Sequence, residues 1–432
     1  MTATTAPPAW RSFRSRLGTH VLVLRGSQIL DVDEGTLASL DQEDLEEALA
    51  PYLDHGERLG LSAVPSVAPQ NLSLNVTSAC NLACDYCYAG RGAFGGAQVG
   101  AMSTATAERA IDTLLAGCER RAMATIGFLG GEPFLDRSLV HHVVTYASRR
   151  AAEVGQPVGF SVTTNGTMLA PADLDLVRSH RFAVTVSLDG GRATHDRRRL
   201  TLAGEGSWDD AMARVRPLLA DPGAAVVTAR ATLTSDDLDL AGRYDALAAE
   251  RFPAIGFAPV RVGFGALGDD DWPRWLHASI ALGERELARI RAGGDTAFDN
   301  LRVALRRLDA GSSSPYPCGA GGGYASVSTA GRWFACHRAI GEEDYALGDD
   351  SGGADPARQR QFLADRHVER VEPCRSCWAR YLCSGGCHQE AATRTTAACD
   401  AIRGWLEFCL DAYCVVSTER PDWFAPIGAC DG

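Results

Sequence analysis

The sequence predicts an α/β protein built on an incomplete parallel barrel or an open parallel sheet. Between Asn71 and about Val260, six apolar strand segments alternate with amphipathic helical segments. Polar and glycine-rich motifs recur where those strands end. Six units are two fewer than a closed eight-stranded barrel requires.

The predicted strands are "LSLNVT", "ATIGFLG", "VGFSVTTN", "FAVTVSLDG", "AVVTARATLT" and "AIGFAPV". The helical segments include "STATAERAIDTLLAGCERR", "SLVHHVVTYASRRAAEV" and "SWDDAMARVRPLLA". Residues 1–70 form a small unit: "HVLVLRGSQILDVDE" predicts two strands around a turn at Gly26 and Ser27. "DQEDLEEALAPYL" predicts a helix capped near Asp41, and "SVAPQ" a linker. Residues 271–309 read as helical, and "RGWLEFCLDAYCVV" as a closing helix. The expected domains are thus 1–70, 71–310 and a cysteine-rich 311–432.

Of the 432 residues, 46% are hydrophobic and 22% charged, an ordinary globular balance. A formal charge of −12 argues against nucleic acid as the main partner, because phosphate binding needs a basic surface. No run is long enough to cross a bilayer, so no membrane partner is expected. The start shows no long apolar segment behind its basic residues, and there are 14 cysteines. A reducing, cytoplasmic location is the expectation, with thiols serving metals or catalysis.

"SACNLACDYCYAG" places Cys80, Cys84 and Cys87 in a Cys-x3-Cys-x2-Cys loop where the first parallel strand ends. Chemistry gathers at strand carboxyl ends in such folds. A zinc site would need a fourth ligand close by, and the next histidines, His141 and His142, lie in a predicted helix. Three thiolates can instead hold three irons of a 4Fe–4S cube and leave one iron open.

With Tyr86 before the last cysteine, this motif resembles that of the radical S-adenosylmethionine (SAM) superfamily. Three later strand ends extend the resemblance: "GGEP" (Gly130, Gly131, Glu132, Pro133), "SVTTNG" (Ser161 to Gly166) and "SLDG" (Ser187 to Gly190). It implies a partial (β/α)6 TIM-like barrel whose open iron chelates S-adenosylmethionine. On that footing Tyr86, Gly130, Gly131, Glu132, Pro133, Ser161, Thr163, Asn165, Ser187, Asp189 and Arg230 line the cofactor pocket. Arg230 would pair with the cofactor carboxylate, since arginine suits bidentate carboxylate recognition.

A second cysteine field comprises Cys318, Cys336, Cys374, Cys377, Cys383, Cys387 and Cys399. "CRSCWARYLCSGGC" and "GRWFAC" within it resemble the SPASM extension of peptide- and protein-modifying radical SAM enzymes. The resemblance implies two auxiliary 4Fe–4S clusters, three clusters in all. Cys374, Cys377, Cys383 and Cys399 would hold one, and Cys318, Cys336 and Cys387 the other. A pair of zinc ribbons is the alternative. Two positions depart from the resemblance: Tyr324 stands where some relatives have an eighth cysteine, and His337 where sulfatase-modifying relatives have an aspartate base. Cys409 is a rival to Cys399, and Cys118 is expected to pack on a helix. "GFGALG" (Gly263 to Gly268) reads as a loop, since no apolar crossover helix follows.

The implied function is an oxidoreductase that matures a ribosomally made peptide or small protein. It would remove a substrate hydrogen with a 5′-deoxyadenosyl radical and form a thioether or carbon-centred crosslink. A flavodoxin or ferredoxin would supply electrons. "CYAGRGAFGG" and "LGGEPF" resemble the enzymes that crosslink the small subunit of quinohemoprotein amine dehydrogenase. Oxidation of a sulfatase-type residue and peptide epimerisation are alternatives within the chemistry. An iron–sulfur electron carrier or zinc-ribbon scaffold is the alternative outside it. The residue that acts as acid or base is not assigned by the sequence, and the N-terminal unit is a candidate for peptide recognition as an added strand.

Overall fold

The structure, a computed structural model, describes residues 8–39, 42–64, 68–92 and 100–425. Asp41, part of "SVAPQ", part of "CYAGRGAFGG" and Cys430 lie outside the described residues. The chain divides into two compact units: Met1–Val64 with Gly268–Cys318 and Ala364–Gly432, and Pro65–Leu267 with Gly319–Leu363.

The first unit opens with three antiparallel strands, β1 (Trp10–Ser15), β2 (Gly18–Val23) and β3 (Gln28–Val32), in the order β1-β2-β3. Val21 and Val23 pack with Leu45 and Leu49 of the helix Gln42–Arg58. β1 is an element that the alternation rule passes over: its "WRSFRS" repeats with period three instead of two, and none of its residues is fully buried. The helices Asp271–Arg291 and Asp299–Asp309 pack on the long helix Thr396–Glu419. Phe298 meets Trp405 edge-on at 5.8 Å.

This unit gathers the N-terminal sheet with segments far along the chain, a division that differs from chain order. The reason is visible in ion pairs. Arg11 meets Glu407 at 2.6 Å, and Arg16 meets Glu284 at 2.6 Å and Asp411 at 2.7 Å. Arg25 meets Glu369 at 2.6 Å and Tyr381 at 3.0 Å.

The second unit holds the parallel sheet. Its strands are β4 (Asn71–Thr77), β5 (Ala124–Gly130), β6 (Val158–Thr164), β7 (Phe182–Ser187), β8 (Val226–Leu233) and β9 (Ile255–Pro259). They pair in sequence order, all parallel. The helices Thr104–Gly117, Arg137–Val154 and Trp208–Ala220 make crossovers where the sequence predicts them.

Alternation along the strands sorts the two faces. Phe160 and Val162 of β6, Val184 and Val186 of β7, and Val227, Ala229 and Ala231 of β8 are buried. Phe128, Phe160 and Phe182 stack across three strands with centroids 5.3 to 6.4 Å apart. The other face carries Ser161, Thr163, Thr185, Ser187 and Arg230, part-exposed or exposed.

Four further strands extend this sheet: β10 (Tyr324–Val327), β11 (Trp333–Phe334), β12 (Ala346–Asp349) and β13 (Gly353–Ala354). β10 lies parallel to β4, and β11 to β13 follow antiparallel. They are two to four residues each, too short for periodicity to announce them. The fold is thus a partial TIM-like barrel of six parallel strands with an added edge. "GFGALG" forms an irregular loop, as expected.

Candidate active site

Cys80, Cys84 and Cys87 occupy the loop after β4, each half-buried. The Leu82 N–H donates to Cys80 Sγ at 3.5 Å, and the Cys87 N–H donates to the Cys84 carbonyl at 3.4 Å. The end of β5 lies against the start of this loop. Gly131 N–H donates to the Thr77 carbonyl and Glu132 N–H to the Ala79 carbonyl, both at 2.9 Å. A Cβ on Gly131 would stand 2.0 Å from the Ala79 oxygen. On Gly130, with φ +139°, it would stand 2.3 Å from the Thr77 oxygen. Only glycines let these backbones meet.

Glu132 is fully buried and its carboxylate is taken up by the scaffold. It accepts from Asn165 N–H at 2.7 Å, the Thr164 hydroxyl at 2.8 Å and Phe134 N–H at 3.2 Å. Burial pushes this carboxyl up to about 7, against the pull of those three donors. Pro133 begins the short 3-10 turn Pro133–Asp136 that follows. Asn165 donates from Nδ2 to Asn81 Oδ1 at 2.9 Å and reaches Cys80 Sγ at 3.9 Å. Asn81 in turn donates to Thr167 Oγ1 at 2.8 Å. A polar ring therefore braces the first cysteine.

Tyr86 turns its phenol into the sheet end and donates to Asp189 Oδ2. Asp189 is 1% exposed, accepts Thr232 N–H at 2.9 Å and pairs with Arg199 Nε at 3.1 Å. Burial would raise its carboxyl, but the Arg199 charge and the donated hydrogen bonds hold it below the ordinary range. Arg199 lies over the Tyr86 ring at 5.4 Å. Burial pushes the Cys84 thiol up while the Arg199 charge draws it down. Burial also pushes Cys80 up to about 11.

The segment carrying Arg199 clamps the cysteine loop elsewhere too. Ala83 N–H donates to the Leu200 carbonyl at 2.7 Å, and Arg198 pairs with Asp85 at 2.6 Å. Beneath it, fully buried His195 shares a hydrogen bond with Ser207 Oγ at 2.9 Å, and Ser207 donates to the Arg199 carbonyl at 2.6 Å. Sequence reading missed Arg199 and His195. Their signal, "THDRRR", looks like a solvated charge run.

Ser161, Thr163, Ser187 and Arg230 lie on the open strand face, with Ser187 and Arg230 in register on β7 and β8. Ser187, with Arg230 beside it, lies at the sheet end that carries the cysteine loop and Thr163 lies just below it, whereas Ser161 sits mid-strand level with Gly127 and Ser73. Glu132 and Asp189 are held inside the scaffold.

In the first unit, Cys374, Cys377, Cys383 and Cys399 form a group. Cys377 N–H donates to the Cys374 carbonyl at 3.0 Å, and Cys399 lies in the first turn of the helix capped by Thr395. Burial pushes the thiols of Cys374 and Cys383 up, the latter to about 11. Both also feel the Arg394 charge and that of Cys399. Cys409 is fully buried in the same helix, its thiol pushed up by burial alone.

Cys318 and Cys387 belong to the first unit, and Cys336, just after β11, to the second. Cys118 caps the helix Thr104–Gly117 in extended conformation, so it terminates that helix instead of packing along it. Among the described residues, no three His, Cys, Asp or Glu side chains converge as ligands of a single metal ion.

The family model of the Radical SAM superfamily matches residues 74–219, the stretch holding these motifs. Mycofactocin maturase MftC of Mycobacterium ulcerans (strain Agy99) is 30% identical over 338 residues, 74% of this chain and 83% of that protein. The chain belongs to the radical SAM superfamily. A serine-type anaerobic sulfatase-maturating enzyme of Klebsiella aerogenes is 27% identical over 356 residues, 78% of this chain and 84% of the enzyme. Native anSMEcpe with bound AdoMet shares the fold, with a TM-score of 0.69 at 18% identity, over 81% of this chain and 99% of that one.

Radical SAM membership carries a 4Fe–4S cluster and S-adenosylmethionine as cofactors. The donor set fits: three soft thiols on one loop, with the Asn165 amide directed at Cys80. The cysteine-rich C-terminal segment is consistent with a SPASM domain. No helix among the described residues is long and apolar enough to cross a membrane.

Proposed function

We propose that this radical SAM enzyme matures a peptide or small protein by oxidative crosslinking. The observation that carries the reading is the cysteine loop Cys80–Cys87 locked onto the Gly130–Gly131 backbone beside an open, hydroxyl-lined strand face. Relatives named as maturases, and the second cysteine group, support it.

When bound, the cluster and S-adenosylmethionine supply a 5′-deoxyadenosyl radical that takes a hydrogen atom from an unactivated C–H. The chain's own residues do the placing. The backbone of Gly130–Pro133 offers a cradle for the cofactor's amino end, while Ser161, Thr163, Asn165 and Ser187 offer hydrogen bonds. Arg230, exposed on β8, suits a carboxylate. Tyr86, Arg199 and Asp189 hold the cysteine loop rigid.

The atom balance would be one hydrogen atom lost from the substrate to the 5′-deoxyadenosyl radical, which becomes 5′-deoxyadenosine, and one electron and one proton lost as the new bond closes. An auxiliary cluster held by the C-terminal cysteines would accept that electron and water the proton. The product is lighter by two hydrogens. We assign three clusters, one on Cys80, Cys84 and Cys87 and two auxiliary. Cys374, Cys377, Cys383 and Cys399 hold one of these, and Cys318, Cys336 and Cys387 the other. A flavodoxin or ferredoxin in the cytoplasm supplies the electron that starts each turnover. β3, which among the described residues pairs only with β2, offers the peptide an added-strand site.

The test is turnover of a captured substrate. A Cys84→Ala variant, purified anaerobically with S-adenosylmethionine, retains bound polypeptides for identification by mass spectrometry. The wild-type enzyme is then supplied with the captured peptide. A product two hydrogens lighter, formed with 5′-deoxyadenosine, is expected; an unchanged mass would sink the crosslinking reading and indicate epimerisation.

A second reading is oxidation of a sulfatase-type residue, favoured by the 27% identity to the Klebsiella aerogenes enzyme. Oxidation of the reactive serine or cysteine in a sulfatase peptide would establish it.

A further inference from the structure

Two guanidinium nitrogens in the C-terminal cysteine group are left without acceptors. Nε and Nη2 of Arg394 are buried and make no hydrogen bond among the described residues. Buried N–H groups without acceptors are costly, and each such group needs a reason. Arg394 is pressed against the loop between Cys383 and Cys387. A Cβ on Gly386, at φ +66°, would approach Nη2 to 3.0 Å and Cζ to 3.1 Å. The loop is therefore shaped to admit the guanidinium, whose charge acts on both the Cys374 and the Cys383 thiols. A second guanidinium, Arg403, pairs with Asp400 and sits within electrostatic reach of Cys377.

A thiol nest alone offers these N–H groups too few acceptors. A sulfide-bearing cluster would offer several, because inorganic sulfide and cysteine sulfur both accept hydrogen bonds. Each electron added to such a cluster adds negative charge. N–H donors and a fixed positive charge stabilise the reduced form more than the oxidised form, which raises the potential.

We propose that Arg394 donates Nε–H and Nη2–H to sulfur of an iron–sulfur cluster held by Cys374, Cys377, Cys383 and Cys399, and thereby raises its reduction potential. This makes Arg394 a positioning residue for electron exit. It rests on the reading of those four cysteines as cluster ligands.

The experiment compares wild type, Arg394→Gln and Arg394→Lys after anaerobic reconstitution. Iron content and EPR-monitored redox titration are the readouts. Arg394→Gln is expected to keep its iron and to shift one midpoint to lower potential, leaving the others in place. Arg394→Lys keeps the charge and loses the planar fork, so a smaller shift in the same direction is expected. Unshifted midpoints in an iron-replete Gln variant overturn the proposal. If the Gln variant loses iron, the Lys variant decides, a wild-type midpoint again overturning it. Cys383→Ala tests the underlying reading separately: a loss of about four irons per chain upholds the ligand assignment, and no loss overturns it.

Discussion

The Tyr324 phenol lies 2.8 Å from Nδ1 of His337 and 2.6 Å from Ser73 Oγ, which itself lies 2.9 Å from Ser326 Oγ. The two positions at which the chain departs from its sequence resemblance are therefore partners across the edge of the sheet. Burial and the neighbouring Arg338 charge push His337 down to about 4, and burial pushes the Tyr324 phenol up, so the pair is neutral near pH 7. Tyr324→Phe removes one oxygen and leaves His337 and Ser73 short of a partner. A stability loss of about 1 kcal/mol is expected. Chemical denaturation checks it, and no loss would mean that water replaces the phenol.

Gly131 sets a stricter steric condition on the site. A methyl group at this position would put its carbon 2.0 Å from the Ala79 oxygen, so Gly131→Ala must separate the β5 end from the cysteine loop. Overpacking of this kind costs about 1–3 kcal/mol. Taken from the bound state, that corresponds to roughly five- to 150-fold weaker S-adenosylmethionine binding. Equilibrium dialysis on the reconstituted enzyme checks it, with far-UV circular dichroism expected to be unchanged.

Cys399 and Cys409 make a paired test of the cysteine group. The Cys374 and Cys383 thiols both sense Cys399, whereas Cys409 is fully buried in the long helix and its thiol is shifted by burial alone. Cys399→Ala is expected to lower iron by about four per chain and Cys409→Ala to leave it unchanged. Colorimetric iron assay after anaerobic reconstitution distinguishes them.

The parallel strands were legible because each is an apolar run of five to eight residues bounded by turn chemistry. The cysteines were legible because their spacing carries its own chemistry. β11 and β13, two residues each, were not, since periodicity needs several residues to show. Arg199 and Arg394 were hidden for a different reason. Arginine reads as surface in any sequence, and only folding reveals that one lies over the Tyr86 ring and the other against Gly386. Glu132 and Asp189 were read from the sequence as cofactor-pocket positions; that their carboxylates accept from internal donors is a property of three dimensions.

Glu369 gives the fold of the first unit a pH signature. It sits between Arg25, at 2.6 Å, and the Tyr381 hydroxyl, joining the N-terminal hairpin to the C-terminal segment. Burial would raise its carboxyl, but the hydrogen bonds from Tyr381 and Arg25 hold it at about 2. A carboxyl with a depressed folded pKa contributes stability above its unfolded value near 4.5, and that contribution is lost as pH falls toward 2. Glu369→Gln keeps the shape and removes the charge. At pH 7 it is expected to cost roughly 1–2 kcal/mol, since hydrogen bonds to a charged, partly buried group lie in that range. The difference from wild type should narrow steadily between pH 4.5 and pH 2, because protonation removes the same charge from the native carboxylate. Urea denaturation at stepped pH measures it. A gap that stays constant over that interval would show that the ion pair with Arg25 does not carry the stability assigned to it.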